Sequence, residues 1–186
     1  MDEKELERQE EEAKKAKYSS ILESLLKETM EPHATLDNTK ALLVMNPDHY
    51  HAWNKRKNAL LAIDPSLGNV IVEELELSVG TLRLNPKSYP SWYHRRWLLG
   101  SVQAGIAKAI ASNELRLCSK LLQLDSRNFH CWNYRAFLCD HLLQQSAHEE
   151  LAFTKQLILQ CFSNYSAWHR RAVVLQRMNA EGKRQL

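Results

Sequence analysis

Thirteen residues, Asn85 to Trp97 (NPKSYPSWYHRRW), hold two tryptophans, two tyrosines, a lysine, a histidine and two arginines. Bases interleaved with aromatics can neutralise and stack against a phosphate-bearing ligand. The same residue types can also be a packing motif. Lys87 is the sharpest candidate for chemistry. It stands just before Ser88, a good N-cap for a helix opening at Tyr89, so its ammonium lies near free amides and the positive end of a helix dipole, where an anion is favoured. A solvated loop lysine has the same sequence appearance. Recurrence of the stretch separates packing from chemistry.

It recurs. NPDHYHAWNKR (46–56), NPKSYPSWYHR (85–95), DSRNFHCWNYR (125–135) and CFSNYSAWHRR (161–171) align on Trp53, Trp92, Trp132 and Trp168, spaced 39, 40 and 36 residues apart. Three residues before each tryptophan is an aromatic (Tyr50, Tyr89, Phe129, Tyr165), and three after it an arginine (Arg56, Arg95, Arg135, Arg171). Seventeen residues upstream stand Leu36, Leu75, Leu115 and Leu151, preceded in the last three blocks by Glu74, Glu114 and Glu150. A period near 38 residues marks a repeat architecture. Leu75, Val79 and Leu82 recur at helical steps, Pro86 stops that helix, and Ser88, Asn128 and Asn164 suit the N-cap of a second one. The unit is an antiparallel helical hairpin, and the fold class expected is all-α, an α-solenoid of stacked hairpins. An aromatic–Trp–Arg face shared by all four units reads as packing between hairpins, each arginine stacked on or bonded near an aromatic. Lys87 is what the second unit has and the others lack: Asp48, Arg127 and Ser163 take its place.

The boundaries expected are an N-terminal charged and amphipathic helix (1–30), repeats over 31–62, 69–102, 107–144 and 147–179, and a tail over 180–186. Five glycines and five prolines leave little room for β-turns, and a net charge of +3 is too mild for a nucleic-acid partner. No apolar run approaches a membrane span, and MDEKELERQEEE does not resemble a signal peptide. Cys118, Cys131, Cys139 and Cys161 contain no C-x-x-C pair, so they read as reduced thiols of a cytoplasmic protein, with no metal site in this chain.

The pattern N-P-x-x-Y-x-x-W-x-x-R resembles the repeat of protein prenyltransferase α subunits. NPKSYPSWYHRRWLLG, LDSRNFHCWNYRAF and EELAFTKQLILQCFSNYSAWHRR are most similar to the type II branch, whose enzymes geranylgeranylate Rab GTPases; the resemblance runs from about residue 35 to 175. It implies a crescent of hairpins around a catalytic β subunit that holds the zinc, with no activity expected from the α chain alone. It implies further that Lys87, in the K-x-Y element, stabilises the diphosphate leaving group of geranylgeranyl diphosphate, with Tyr89 in support. His130 matches a position at the shared active-site rim. Trp53, Trp92, Trp132, Trp168 and the four arginines stay structural. The α subunit shared by farnesyltransferase and the type I enzyme carries a glutamine directly after its K-x-Y tyrosine, where Pro90 stands here. That favours the type II reading, in which the Rab substrate arrives on an escort protein. The alternatives are that farnesyltransferase/type I α subunit and a non-catalytic helical scaffold. Family members carry more than four repeats, so the chain reads as an N-terminal portion or short form, with Val173, Val174 and Met178 forming an apolar stripe that a fifth repeat would cover.

Overall fold

A computed structural model describes residues 3–31, 35–144 and 146–184. The first two residues of the expected N-terminal helix, residues 32–34 of repeat 1 and the last two of the tail lie outside them. The described residues form helices without strands: α1 (Glu3–Met30), α2 (Leu36–Met45), α3 (Tyr50–Ile63), α4 (Ile71–Leu84), α5 (Tyr89–Ser101), α6 (Ala104–Leu124), α7 (Phe129–Phe137) running into a π-helical turn (Leu138–Leu143), α8 (Ala147–Gln160) and α9 (Tyr165–Arg184). The fold is all-α, built of helical hairpins. Residues 1–94 and 95–186 are two compact units.

The turn into each second helix is made the same way in every block. The residue four before the tryptophan caps the helix: His49 Nδ1 accepts from Ala52 N (3.1 Å), Ser88 Oγ from Ser91 N (3.4 Å), Asn128 Oδ1 from Cys131 N and Asn164 Oδ1 from Ala167 N (both 3.2 Å). Each indole N–H then donates to the carbonyl six residues earlier: Trp53 to Pro47, Trp92 to Pro86, Trp132 to Ser126 and Trp168 to Phe162, at 2.8–2.9 Å. Trp53, Trp92 and Trp132 thus bury their rings while the one polar atom of each satisfies a turn carbonyl.

In the first unit, Leu22, Leu25 and Leu26 of α1 pack on Leu42, Leu43, Ala52, Trp53 and Leu77. The charged first half of α1 is exposed and carries the expected i,i+4 pairs, Glu11–Lys15 at 2.7 Å and Glu10–Lys14 at 4.0 Å. α9 runs through Arg184, so residues 180–184, read from the sequence as tail, are helical.

The arginines correct the packing expectation. Arg56, Arg95 and Arg135 each meet a carboxylate, and only for Arg135 is a stacked aromatic seen beside it. Arg56 Nε and Nη2 donate to Glu74 (2.8 and 2.5 Å), Arg95 Nε to Glu114 (3.0 Å), and Arg135 Nε and Nη2 to Glu150 (3.0 and 2.8 Å). Arg135 also lies 3.5 Å from the Phe153 ring centroid. The aromatics are not part of that buried face: Tyr50, Tyr89, Phe129 and Tyr165 are all more than half exposed, because they occupy the first residue of each second helix, at the hairpin's edge. Of the stripe expected on α9, Val174 is buried inside the last hairpin and Val173 and Met178 are half-buried; Trp168 and Leu175 are the exposed apolar side chains there.

Each joint glutamate has a second partner, two residues after the tryptophan of its own hairpin. His94 Nε2 lies 3.2 Å from Glu74, Tyr134 Oη donates to Glu114 (2.8 Å) and Arg170 Nε to Glu150 (3.0 Å). A buried carboxylate between two donors on either side is the arrangement that offsets its desolvation.

Candidate functional site

Lys87 and Tyr89 are displayed in the first unit by the turn just described. Asn85 Oδ1 accepts from the Lys87 backbone N–H (3.0 Å), and its side-chain amide donates to Asp48 (2.8 Å). The loop is therefore tied at both ends, while the Lys87 side chain is exposed. Tyr89 opens α5 and stacks on Tyr93 one turn later, with centroids 5.9 Å apart. From α3, Lys57 places its ammonium 4.5 Å from the Tyr93 ring centroid. Burial lowers the pKa of Lys57 from its ordinary value. This face of α3 and α5 offers cations and exposed aromatic edges together, a combination suited to an anionic group. Lys57 and Tyr93 were not singled out by the sequence, since neither residue repeats in all four blocks: Lys57 aligns with Arg96, Ala136 and Ala172, and Tyr93 with Asn54, Asn133 and His169.

His94 points inward. It is fully buried, its ring 4.5 Å from that of Trp53. Burial pushes its pKa down to about 4, against the hydrogen bond and charge of Glu74, which raise it; Lys57 and Arg56 push the same way as burial. Burial would raise the Glu74 carboxyl, yet hydrogen bonds from His94 and Arg56 and the Arg56 charge hold it below the ordinary carboxylate value. His94 is thus a neutral joint residue.

In the second unit, His130 is the second residue of α7, half-buried, its ring 3.8 Å from Phe129. Burial lowers its pKa. Between α7 and α9 runs a groove of about 400 Å³, lined by Phe129, Trp132, Ala136, Tyr165 and the Asp140–Arg170 pair. Asp140 sits on the π-helical turn, and Arg170 grips it at 2.8 Å while Arg177 approaches its other oxygen at 2.6 Å. Nothing in the sequence pattern announces that turn.

Trp53, Trp92, Trp132, Arg56, Arg95 and Arg135 are buried; Trp168 and Arg171 are more open. Among the described residues, no three His, Cys, Asp or Glu side chains come together to hold a metal, and no helix is long and apolar enough to cross a membrane.

The chain matches the protein prenyltransferase alpha subunit repeat at residues 32–63, 71–102, 111–142 and 147–178. It is 39% identical over 153 residues to the geranylgeranyl transferase type-2 subunit alpha of Homo sapiens, and equally to that of Sus scrofa, a span of 80% of this chain and 26% of each relative. To the type-2 subunit alpha 2 of Arabidopsis thaliana it is 38% identical over 159 residues, 75% of this chain and 23% of the relative. The chain therefore spans about a quarter of the length of these relatives.

Proposed function

This chain belongs to the protein prenyltransferase alpha subunit repeat family, and on that premise we propose that it supplies the α side of a geranylgeranyl transferase of type 2. It acts with a β subunit, geranylgeranyl diphosphate and a Rab GTPase delivered by an escort protein. The observation that carries the reading is Lys87. In this repeat alone a lysine stands at the exposed turn before the second helix, on a loop held by Asn85.

In this reading the substrate cysteine sulfur bonds to C1 of the isoprenoid as the C1–O bond breaks, and the electron pair leaves on diphosphate. Zinc belongs to the β subunit, where it would stabilise the cysteine as thiolate. The Lys87 ammonium acts where negative charge develops, so it lowers the barrier more than it strengthens ground-state binding. Tyr89, stacked on Tyr93, supports the loop from the first turn of α5. His130 takes a rim contact toward the β subunit or substrate. Pro90 offers no donor for a C-terminal carboxylate, which favours the Rab reaction over CaaX-box reading. The compartment is the cytoplasm, a setting that keeps the four free thiols reduced.

Co-expression with a type-2 β subunit tests the assembly. Single-turnover Rab prenylation then tests the site: Lys87→Ala is expected to slow turnover ~10–1000-fold while binding of geranylgeranyl diphosphate weakens much less. Unchanged turnover in an assembled complex would remove Lys87 from the chemistry.

A further inference from the structure

We propose that Lys57 is a positioning residue for the Lys87 turn, acting through the rings of Tyr93 and Tyr89. The inference deepens the proposed function and rests on it, since it takes Lys87 as the group that meets the leaving diphosphate. A ladder of side chains leads from the body of α3 to the first turn of α5. The Lys57 ammonium lies 4.5 Å from the Tyr93 ring centroid. Tyr93 stacks on Tyr89 at 5.9 Å, with 20° between the rings, and Tyr89 follows Lys87 by two residues.

The base of the ladder is firm. Arg56, the residue before Lys57, splits its guanidinium: Nη1 donates to Leu36 O (2.6 Å) and Thr39 Oγ1 (3.1 Å), while Nε and Nη2 reach Glu74 of α4. α3 is thereby tied on two sides beside the cation. Its far end needs the support. Helix ends fray, and Lys87 leaves the chain at the end of α5. The rings of Tyr89 and Tyr93 are 52% and 43% exposed, so core packing does not fix their rotamers. A cation on one ring and a stack between the two supply that order instead. Lys57 is half-buried and burial lowers its pKa; a partly desolvated ammonium is the kind a ring face holds most strongly. With Tyr89 held on Tyr93, the first turn stays wound and the direction in which Lys87 projects is set.

By residue type this ladder belongs to one joint. The pairs equivalent to Lys57 and Tyr93 at the next two joints are Arg96 with Asn133 and Ala136 with His169. Arg96 does cover a ring at 5.0 Å, but that ring is Phe137, the last residue of α7, at the opposite end from the edge aromatic Phe129. Cation and stacked rings converge on the turn that carries the lysine.

The first test uses the full chain without a partner subunit. Lys57→Met keeps the aliphatic stem and removes the charge. Backbone 15N relaxation is expected to show order parameters at Lys87 and Tyr89 falling from the rigid range (~0.85) toward ~0.6, with Lys57→Arg restoring them. Order parameters that stay rigid in Lys57→Met would overturn the proposal. The second test is single-turnover Rab prenylation in the complex with a type-2 β subunit. Lys57→Met is expected to slow turnover ~3–10-fold with binding of geranylgeranyl diphosphate unchanged, and Lys57→Arg to recover most of the rate. In a Lys87→Ala background Lys57→Met should cost nothing further, because it acts through that lysine. Additive losses would overturn the proposal, since Lys57 would then act independently of Lys87. A slow Lys87→Ala beside a normal Lys57→Met would also overturn it, and would leave the proposed function standing. A normal Lys87→Ala would instead remove the proposed function, whatever the relaxation data show.

Discussion

Replacing His94 with glutamine should remove most of the acid sensitivity of the first unit. His94 is buried against Trp53 and faces the Glu74 carboxylate from α4 and the Arg56 and Lys57 cations from α3. Its pKa falls from 6.5 to about 4 on folding. The unfolded chain therefore binds a proton between those values that the folded chain refuses. Stability from this group is fully present above pH 6.5 and is lost as pH falls toward 4, at just over 1 kcal/mol per pH unit, about 3 kcal/mol in all. The joint carboxylates Glu74 and Glu150 are held below their ordinary values, so their loss comes at still lower pH. His49 and His130, also lowered, contribute with the same sign in both proteins and cancel in the difference. In His94→Gln the side-chain amide still donates to Glu74 but does not titrate. Urea unfolding of the two proteins from pH 7 to 4, followed by tryptophan fluorescence, gives the comparison. The variant is expected to be less stable at pH 7 and to close the gap as pH falls. Parallel pH curves would refute the assignment of His94 as a neutral, proton-refusing joint residue.

Tryptophan truncation should cost according to position: Trp132→Ala ~3–5 kcal/mol, as for other buried aromatics, and Trp168→Ala well under half of that, since its ring is already 40% exposed; equal losses in melting experiments would contradict the two environments. Glu150→Gln should cost ~3–5 kcal/mol, because it leaves Arg135 and Arg170, both buried, facing one neutral group; a change in urea midpoint near zero would show that this carboxylate does not hold the joint.

The hairpin repeat was legible because tryptophan, its aromatic and its arginine keep fixed offsets within one helix, where local geometry is the same in every block. The joint was not, although its two halves, Arg56/Arg95/Arg135 and Glu74/Glu114/Glu150, are both visible in the alignment. They meet across a loop of varying length, so no helical i,i+4 spacing links them. The second donor was hidden for another reason. His94, Tyr134 and Arg170 do one job with three side chains, and a comparison by residue type passes over them. The edge aromatics were misplaced because residues at three-residue steps share a buried face only along the body of a helix; Tyr89 and Tyr165 are the first residues of their helices and are exposed. At the candidate site the sequence pointed to Lys87 and Tyr89 through their difference from the other blocks, whereas Lys57 reaches Tyr93 from another helix and leaves no trace in linear order.

The split guanidinium also sets rules for editing such an array. Because Arg56 and Arg135 each tie one hairpin with Nη1 and the following one with Nε and Nη2, gain or loss of one whole period rejoins an arginine to a glutamate. A cut at any other phase strands a charge in the interior, at ~3–5 kcal/mol. Tandem duplication and deletion are therefore quantised. Lengths that differ by complete hairpins are viable, fractional ones are purged, and the permitted seams fall between each arginine and the glutamate that answers it.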